Sequence, residues 1–312
     1  MTLGHTWNLP NYSGELFTAA HTQTPFLTMI GGLTQGGMTT TNHEFPTSSE
    51  YDLPAPKQPE ISEADSETAP TASHVARDQK KNVTQIFHEA VNISYQKLSN
   101  AGRLQGINTA GQQNNAPSER DFQIARKLEI IARDVEYSFL NGEYQDPTDE
   151  TVPAKTRGMF ELVEDAGQTV DAASGQLEKD MIQQLLRDMA TGGAAFSNMV
   201  LFANAFNKQK VTEIYGYAPE DRNVGGLNIQ QIETDFAQIG VVYDPHVPVN
   251  KILIADMSVI APVFQPVPEK GVLFYEELAR SGASEKGQLY GQIGLAHGPA
   301  FYHGAIINLG TE

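Results

Sequence analysis

The chain has 312 residues, carries 21 basic against 38 acidic side chains for a net charge of −17, and contains no cysteine. Disulfides, thiolate metal centres and cysteine nucleophiles are therefore excluded, and so acidic a balance argues against duplex binding, which rests on Lys and Arg releasing counterions. No apolar run reaches roughly 18 residues, and the start lacks a basic region followed by an apolar one. Neither a membrane span nor a signal peptide is expected, and the protein is expected to be made in a cytoplasm.

Residues 1–38 read as an extended arm. Trp7, Leu9, Tyr12, Leu16, Phe17, Phe26, Leu27 and Ile30 are scattered among Thr, Asn and Gly without steady periodicity. Gly31-Gly32 and Gly36-Gly37 then allow sharp turns. Such anchors suit either an arm draped over a neighbouring molecule or a segment packed on its own domain.

Residues 39–98 read as a long excursion with two flanks. The first, 39–53, is Thr-rich and puts Phe45, Tyr51 and Leu53 on one alternate face. The second, 82–97, puts Val83, Phe87, Val91, Ile93 and Tyr95 on odd positions. The same residues satisfy a helical spacing too, but β-branched and aromatic enrichment favours a strand. Between the flanks, Pro54, Pro56 and Pro59 stiffen a tip that carries Lys57 and then Glu60, Glu63, Asp65 and Glu67. With so few large apolar groups on its tip, the excursion needs completion by another copy of the chain or stays disordered.

A long amphipathic helix is predicted over 118–141. Ser118 after Pro117 can cap it, with Asp121 three residues on. Phe122, Ala125, Leu128, Ile131 or Ala132, Val135 and Phe139 form a stripe at 3–4 spacing, Glu129 and Arg133 sit four apart, and Asn141-Gly142 ends the run. Beyond Arg157 the pattern is that of a compact α/β domain. A helix carries Leu177, Met181, Ile182, Leu185, Leu186 and Met189 and stops at Gly192-Gly193. A buried strand at 199–202 and a helix at 205–215 follow. Strands are then expected at 229–236, 239–243, 252–255, 259–264, 272–275, 288–295 and 300–308.

Chemistry is sparse. The eight histidines form no metal-ligand spacing, and no phosphate loop or nucleophile elbow occurs. His43-Glu44 and His88-Glu89 would meet as a metal site only if the two flanks face each other, and surface polar pairs are the better reading. Asp244-Pro245-His246 reads as a turn. Glu129, Asp134 and Glu136, interleaved with Arg126, Lys127 and Arg133, read as a salt-bridged face. No enzymatic activity and no cofactor is expected.

The order of arm, excursion, long helix and α/β domain resembles the major capsid proteins of tailed bacteriophages. Collinear strings carry the resemblance: Gly14-Glu-Leu-Phe17, Thr24-Pro-Phe26, Val83-Thr-Gln-Ile-Phe87, Ile131-Ala-Arg-Asp-Val-Glu-Tyr137, Phe139-Leu-Asn-Gly142, Lys155-Thr-Arg-Gly158, Ile214-Tyr-Gly-Tyr-Ala-Pro219, Asp221-Arg-Asn-Val-Gly225 and Ser284-Glu-Lys286. The resemblance implies an α+β fold of the Hong Kong 97 type. Its parts would be an N-arm at 1–38, a β-hairpin E-loop at 39–98 and a P-domain at 99–170 with its spine helix. An α/β A-domain would span 171–285, and 286–312 would return as strands to the P-domain.

The resemblance further implies a shell of hexamers and pentamers enclosing double-stranded DNA without sequence-specific contacts, assembled in a bacterial cytoplasm. A portal and a separate scaffolding protein are the expected partners, with decoration proteins left open. Candidate contacts between subunits are Trp7, Phe17, Phe26, Phe45, Tyr51, Lys57, Glu60, Glu63, Asp65, Glu67, Arg77 and Phe87. The alternative on the same fold is a nanocompartment shell of the encapsulin kind around a cargo enzyme.

Overall fold

The computed structural model describes residues 18, 20–33, 36–99, 119–215, 221–224, 227–280 and 282–310. The chain first turns helical at α1 (Pro25–Met29), where Pro25 supplies a preset φ and lacks the N–H that the first helical position leaves unused. There follow β1 (Met38–Thr39), β2 (Glu44–Tyr51), α2 (Glu63–Ser66), β3 (Arg77–Val83), β4 (Gln85–Ser94) and α3 (Tyr95–Ser99). Helix α4 (Glu119–Asn141) is the long helix that the 3–4 stripe predicts; Ser118 lies outside the described residues. Ile131, Val135, Phe139 and Leu140 on its second half are buried. The pair that forms on its outer face is Arg126–Glu129 at 2.8 Å, not the expected Glu129–Arg133.

The C-terminal half contributes α5 (Met159–Asp165), β5 (Thr169–Asp171), α6 (Lys179–Gly192), β6 (Met199–Ala203), α7 (Ala205–Tyr215), β7 (Asp221–Val224), β8 (Leu227–Glu233), β9 (Gln238–Tyr243), β10 (Ile252–Asp256), β11 (Ala261–Phe264), β12 (Leu273–Glu277), β13 (Ser284–Ala296) and β14 (Gly304–Ile307). Seven of these strands form one mixed sheet in the order β5-β14-β10-β6-β9-β8-β7. Its central strands β6 and β10 are apolar almost throughout because both faces are covered. Met199, Leu201, Ile252 and Ile254 meet Ile182, Leu185, Leu186 and Met189 of α6. On the other side Val200, Phe202, Leu253 and Ala255 join Phe26, Val135 and Phe139. Gly193, in the left-handed region at φ 95°, ends α6 as the paired glycines predict.

The second sheet runs β1-β11-β13-β12, with β4 also paired to β13. Strand β4 is where the reading of the excursion needs correction. Its alternation is real: Phe87, Val91 and Ile93 are buried while Ile86 is exposed, and Tyr95 lies beyond it in α3. But β4 does not face the first flank. It pairs antiparallel with β13 from Ser94↔Ser284 to Gln85↔Ile293, because an apolar face of that size needs a core sheet. The partner of β2 is β3, from Glu44↔Val83 to Tyr51↔Arg77. The hairpin thus spans 44–83 rather than 39–98. A bulge between Pro46 and Ser48 also breaks the shared face assigned to Phe45, Tyr51 and Leu53: Phe45 is buried, whereas Tyr51 and Leu53 are exposed.

Candidate assembly surfaces

The β2–β3 hairpin is joined to the body through a dense polar knot. Asn82 is fully buried; its Nδ2 donates to the Leu295 carbonyl at 2.8 Å, and its Oδ1 accepts from the N–H groups of Arg157 at 2.8 Å and Val83 at 2.9 Å. Thr84 Oγ1 donates to Gln265 Oε1 at 2.9 Å, and Thr156 Oγ1 accepts from the Leu295 N–H at 3.2 Å. The Phe45 ring lies over Gly294, where a Cβ would stand 2.8 Å from it, so only glycine admits this contact without a shift. One amide side chain therefore locks the hairpin root to the 144–158 segment and to β13 at once.

Beyond that root the hairpin has no core of its own. Every residue from Tyr51 to Lys81 is exposed, including the apolar Tyr51, Leu53, Ile61 and Val75. An isolated two-stranded hairpin is marginal in water, so one of this kind gains stability by packing on a partner. The tip is locally ordered by a capping box: Asp65 N–H donates to Ser62 Oγ at 3.1 Å, and Ser62 N–H donates to Asp65 Oδ2 at 3.2 Å. The hydroxyl bond from Ser62 holds the Asp65 carboxyl below its usual range. A shallow depression lies between Tyr51, Arg77 and Phe301, and nothing in its lining suggests catalysis.

The sequence-derived contact residues separate into three groups. Tyr51, Lys57, Glu60, Glu63, Asp65, Glu67 and Arg77 are all exposed on the hairpin. Phe26, Phe45 and Phe87 are corrected, because they are spent inside their own chain. Phe26 meets Phe139 and Phe202 edge-on at 6.5 and 5.3 Å, Phe45 packs with Val263 and Ala296, and Phe87 joins the large core. Of the two readings left open for the arm, packing on its own domain holds for α1. Trp7 and Phe17 lie outside the described residues.

His43-Glu44 and His88-Glu89 do not meet as a metal site and form separate polar pairs, as the sequence reading preferred. His43 lies 3.7 Å from Asp146, Glu44 pairs with Lys81, His88 contacts Gln288 at 3.1 Å, and Glu89 pairs with Lys127 at 2.7 Å. Among the described residues no group of three or more His, Cys, Asp or Glu is placed to hold a metal ion, and no helix is long and apolar enough to cross a membrane. Asp244-Pro245-His246 is a turn, with Asp244 Oδ1 accepting from the His246 N–H at 2.8 Å.

Sequence reasoning missed the buried acids. Glu136 is not on a salt-bridged face; it is fully buried, and its two oxygens accept the N–H groups of Phe26 at 2.8 Å and Leu27 at 2.6 Å. It thereby caps α1 from another helix, a role no side chain of α1 fills. The overlooked signal was position: Glu136 stands four residues after Ala132 and three before Phe139, on the apolar stripe itself. His297 and His303 are buried too. His303 bonds the His297 carbonyl at 2.6 Å through Nε2 and accepts the Asp256 N–H at 3.3 Å through Nδ1. Burial depresses both imidazoles to about 4.

A family model described as SU10 major capsid protein matches residues 1–310. The fold is similar to that in the capsid asymmetric unit of cyanophage A-1(L), with a TM-score of 0.67, 11% identity and 99% of each chain covered. It is also similar to the encapsulin SrpI of Synechococcus elongatus PCC 7942, solved as the holo complex, with a TM-score of 0.61 and 13% identity over 96% of this chain and 93% of that one. A structure from Mycobacterium phage Patience gives a TM-score of 0.56 and 11% identity over 91% of this chain and 83% of that one. No curated protein matches the sequence. At these identities the likeness carries the fold alone, and that fold is of the Hong Kong 97 type.

Proposed function

Because the chain belongs to the SU10 major capsid protein family, and is thus a phage capsid protein, we propose that its copies assemble as hexamers and pentamers into an icosahedral shell enclosing double-stranded DNA. The observation that carries this reading is the unbroken exposed run from Tyr51 to Lys81, rooted in a rigid knot at Asn82. A hairpin that is stiff at its base and apolar in patches along its length is suited to lie across a neighbouring subunit. Seven of the twelve sequence-derived contacts sit on it: Tyr51, Lys57, Glu60, Glu63, Asp65, Glu67 and Arg77.

The shell is read as non-enzymatic, assembled in a bacterial host cytoplasm and retained in the virion. A portal and a separate scaffolding protein are its expected partners, with decoration proteins left open. The net charge of −17 suits a wall that contacts DNA without gripping it. The nanocompartment reading shares the fold, as the likeness to an encapsulin illustrates, but the family match favours a capsid. Electron microscopy of the full chain, expressed alone and together with its genomic neighbours, tests the proposal. Closed shells with pentameric and hexameric capsomers are expected; a persistent monomer under every condition overturns it.

A further inference from the structure

The contact between Glu136 and α1 has a second acid behind it. Asp244 follows β9 and is fully buried; its Oδ1 is used by the His246 N–H, and its Oδ2 is buried without a hydrogen-bond donor of its own. The Glu136 carboxyl lies within side-chain hydrogen-bonding reach of it. Two ionised carboxylates cannot share such a space. A proton on Glu136, offered to Asp244, removes the repulsion while both Glu136 oxygens keep their N–H donors. We propose that Glu136 and Asp244 form a proton-held latch that pins the strap around α1 (residues 20–33) to the long helix and lets it go as the pH rises.

The charges around the pair are few. Asp244 and His246 come from the turn after β9, Arg133 stands one turn earlier on α4, and His21 comes from the strap itself. His246 is pushed below its usual range, first by burial, so it is neutral near pH 7 and does not neutralise the acids. Arg133 Nε is buried and unbonded, and no ion pair joins Arg133 to Glu136. Burial, followed by the charge of Asp244, raises Glu136 well above its ordinary 4.5 against the opposing pull of the two N–H bonds. Burial raises Asp244 as well.

With Glu136 raised in the closed state and ordinary in the open one, the closed strap holds more protons. Its stability is fully present below about pH 4.5 and is lost as pH climbs through the raised titration. Lifting the strap wets Glu136 and releases one proton, so the opening equilibrium grows by up to about tenfold per pH unit in that window.

Amide exchange across residues 20–33 of the full-length protein reads this directly. Intrinsic exchange also accelerates with pH, so the wild type is compared with Glu136→Gln, which has nearly the same intrinsic rates, keeps one acceptor and can donate to Asp244. Above the ordinary carboxylate range the wild-type rate should climb relative to Glu136→Gln by several-fold to tenfold per unit, and His246→Gln should behave as the wild type. If Glu136→Gln does not fold, Asp244→Asn serves instead: burial still raises Glu136 there, so its climb should persist but lie at lower pH than that of the wild type. A constant ratio, a strap that opens on acidification instead, or a climb abolished by His246→Gln overturns the latch.

Discussion

In β6 every residue from Met199 to Ala203 is buried, whereas from Tyr51 to Lys81 on the β2–β3 hairpin every residue is exposed. Both contain paired strands: β6 lies between β10 and β9, and β2 pairs with β3 across the base of the hairpin. The difference lies in what covers their faces. Strand β6 has α6 on one side and α1 with α4 on the other, so its side chains supply the driving force for folding. The hairpin contributes almost none and is held by its root. A subunit built this way separates the residues that fold it from the residues left over for a neighbour, and each set can be perturbed alone.

The packed region should give the largest effects on the subunit. Phe202→Ala removes a fully buried ring that meets Phe26 edge-on and should cost about 3–5 kcal/mol of unfolding free energy, measured by chemical denaturation. A loss below about 1 kcal/mol would mean that this side of the sheet is not a core. Acid comes next. His297 and His303 are depressed to about 4, so the unfolded chain binds more protons below pH 6.5. Their contribution is whole above about 6.5 and is lost between there and about 4, at roughly 3 kcal/mol for each imidazole. Stability curves at successive pH values should show the loss, and substituting both residues with Gln should flatten that part of the profile.

At the junction of the two regions, Asn82→Ala strips partners from the buried Arg157 N–H and Leu295 carbonyl. It should cost about 2 kcal/mol and loosen amide exchange at 82–84, while β6 stays protected. The smallest effect on the subunit belongs to the tip. Replacing Leu53 and Ile61 by Ser should leave subunit stability within about 0.5 kcal/mol, because both are exposed. Shell yield, measured by sedimentation, should fall sharply. Normal shells would break the division of labour.

The same contrast explains what could be read in advance. Segments with one covered face announce themselves: the stripe and Asn141-Gly142 gave α4 its helix and its end at Asn141, and the odd–even alternation gave β4 its strand and its buried side. Strand β3 begins Arg-Asp-Gln-Lys-Lys, polar on both faces, so no periodicity marked it, and the apolar β4 was assigned the pairing that β3 makes. The bulge at Pro46/Ser48 is a register shift that composition does not encode, which is why Tyr51 did not follow Phe45 inward. Glu136 was misread because its neighbours on α4 offered cations, while the N–H groups it serves are more than a hundred residues away. Of the candidate contacts, the exposure of the acids and of Lys57 was legible, because a solvated tip is set by local composition. The three phenylalanines were not, because an aromatic anchor looks alike whether it fills its own core or another subunit's.

The central claim is that the exposed hairpin is completed by a second copy of the chain. Cryo-electron microscopy of the assembled particle at side-chain resolution tests it most directly. Tyr51, Leu53, Ile61 and Val75, exposed in the subunit, should each lose most of that exposure against an adjacent subunit, while Asn82 keeps its bonds to Arg157 and Leu295. A closed shell in which the 51–81 segment stays as solvent-exposed as in the isolated chain would contradict the account.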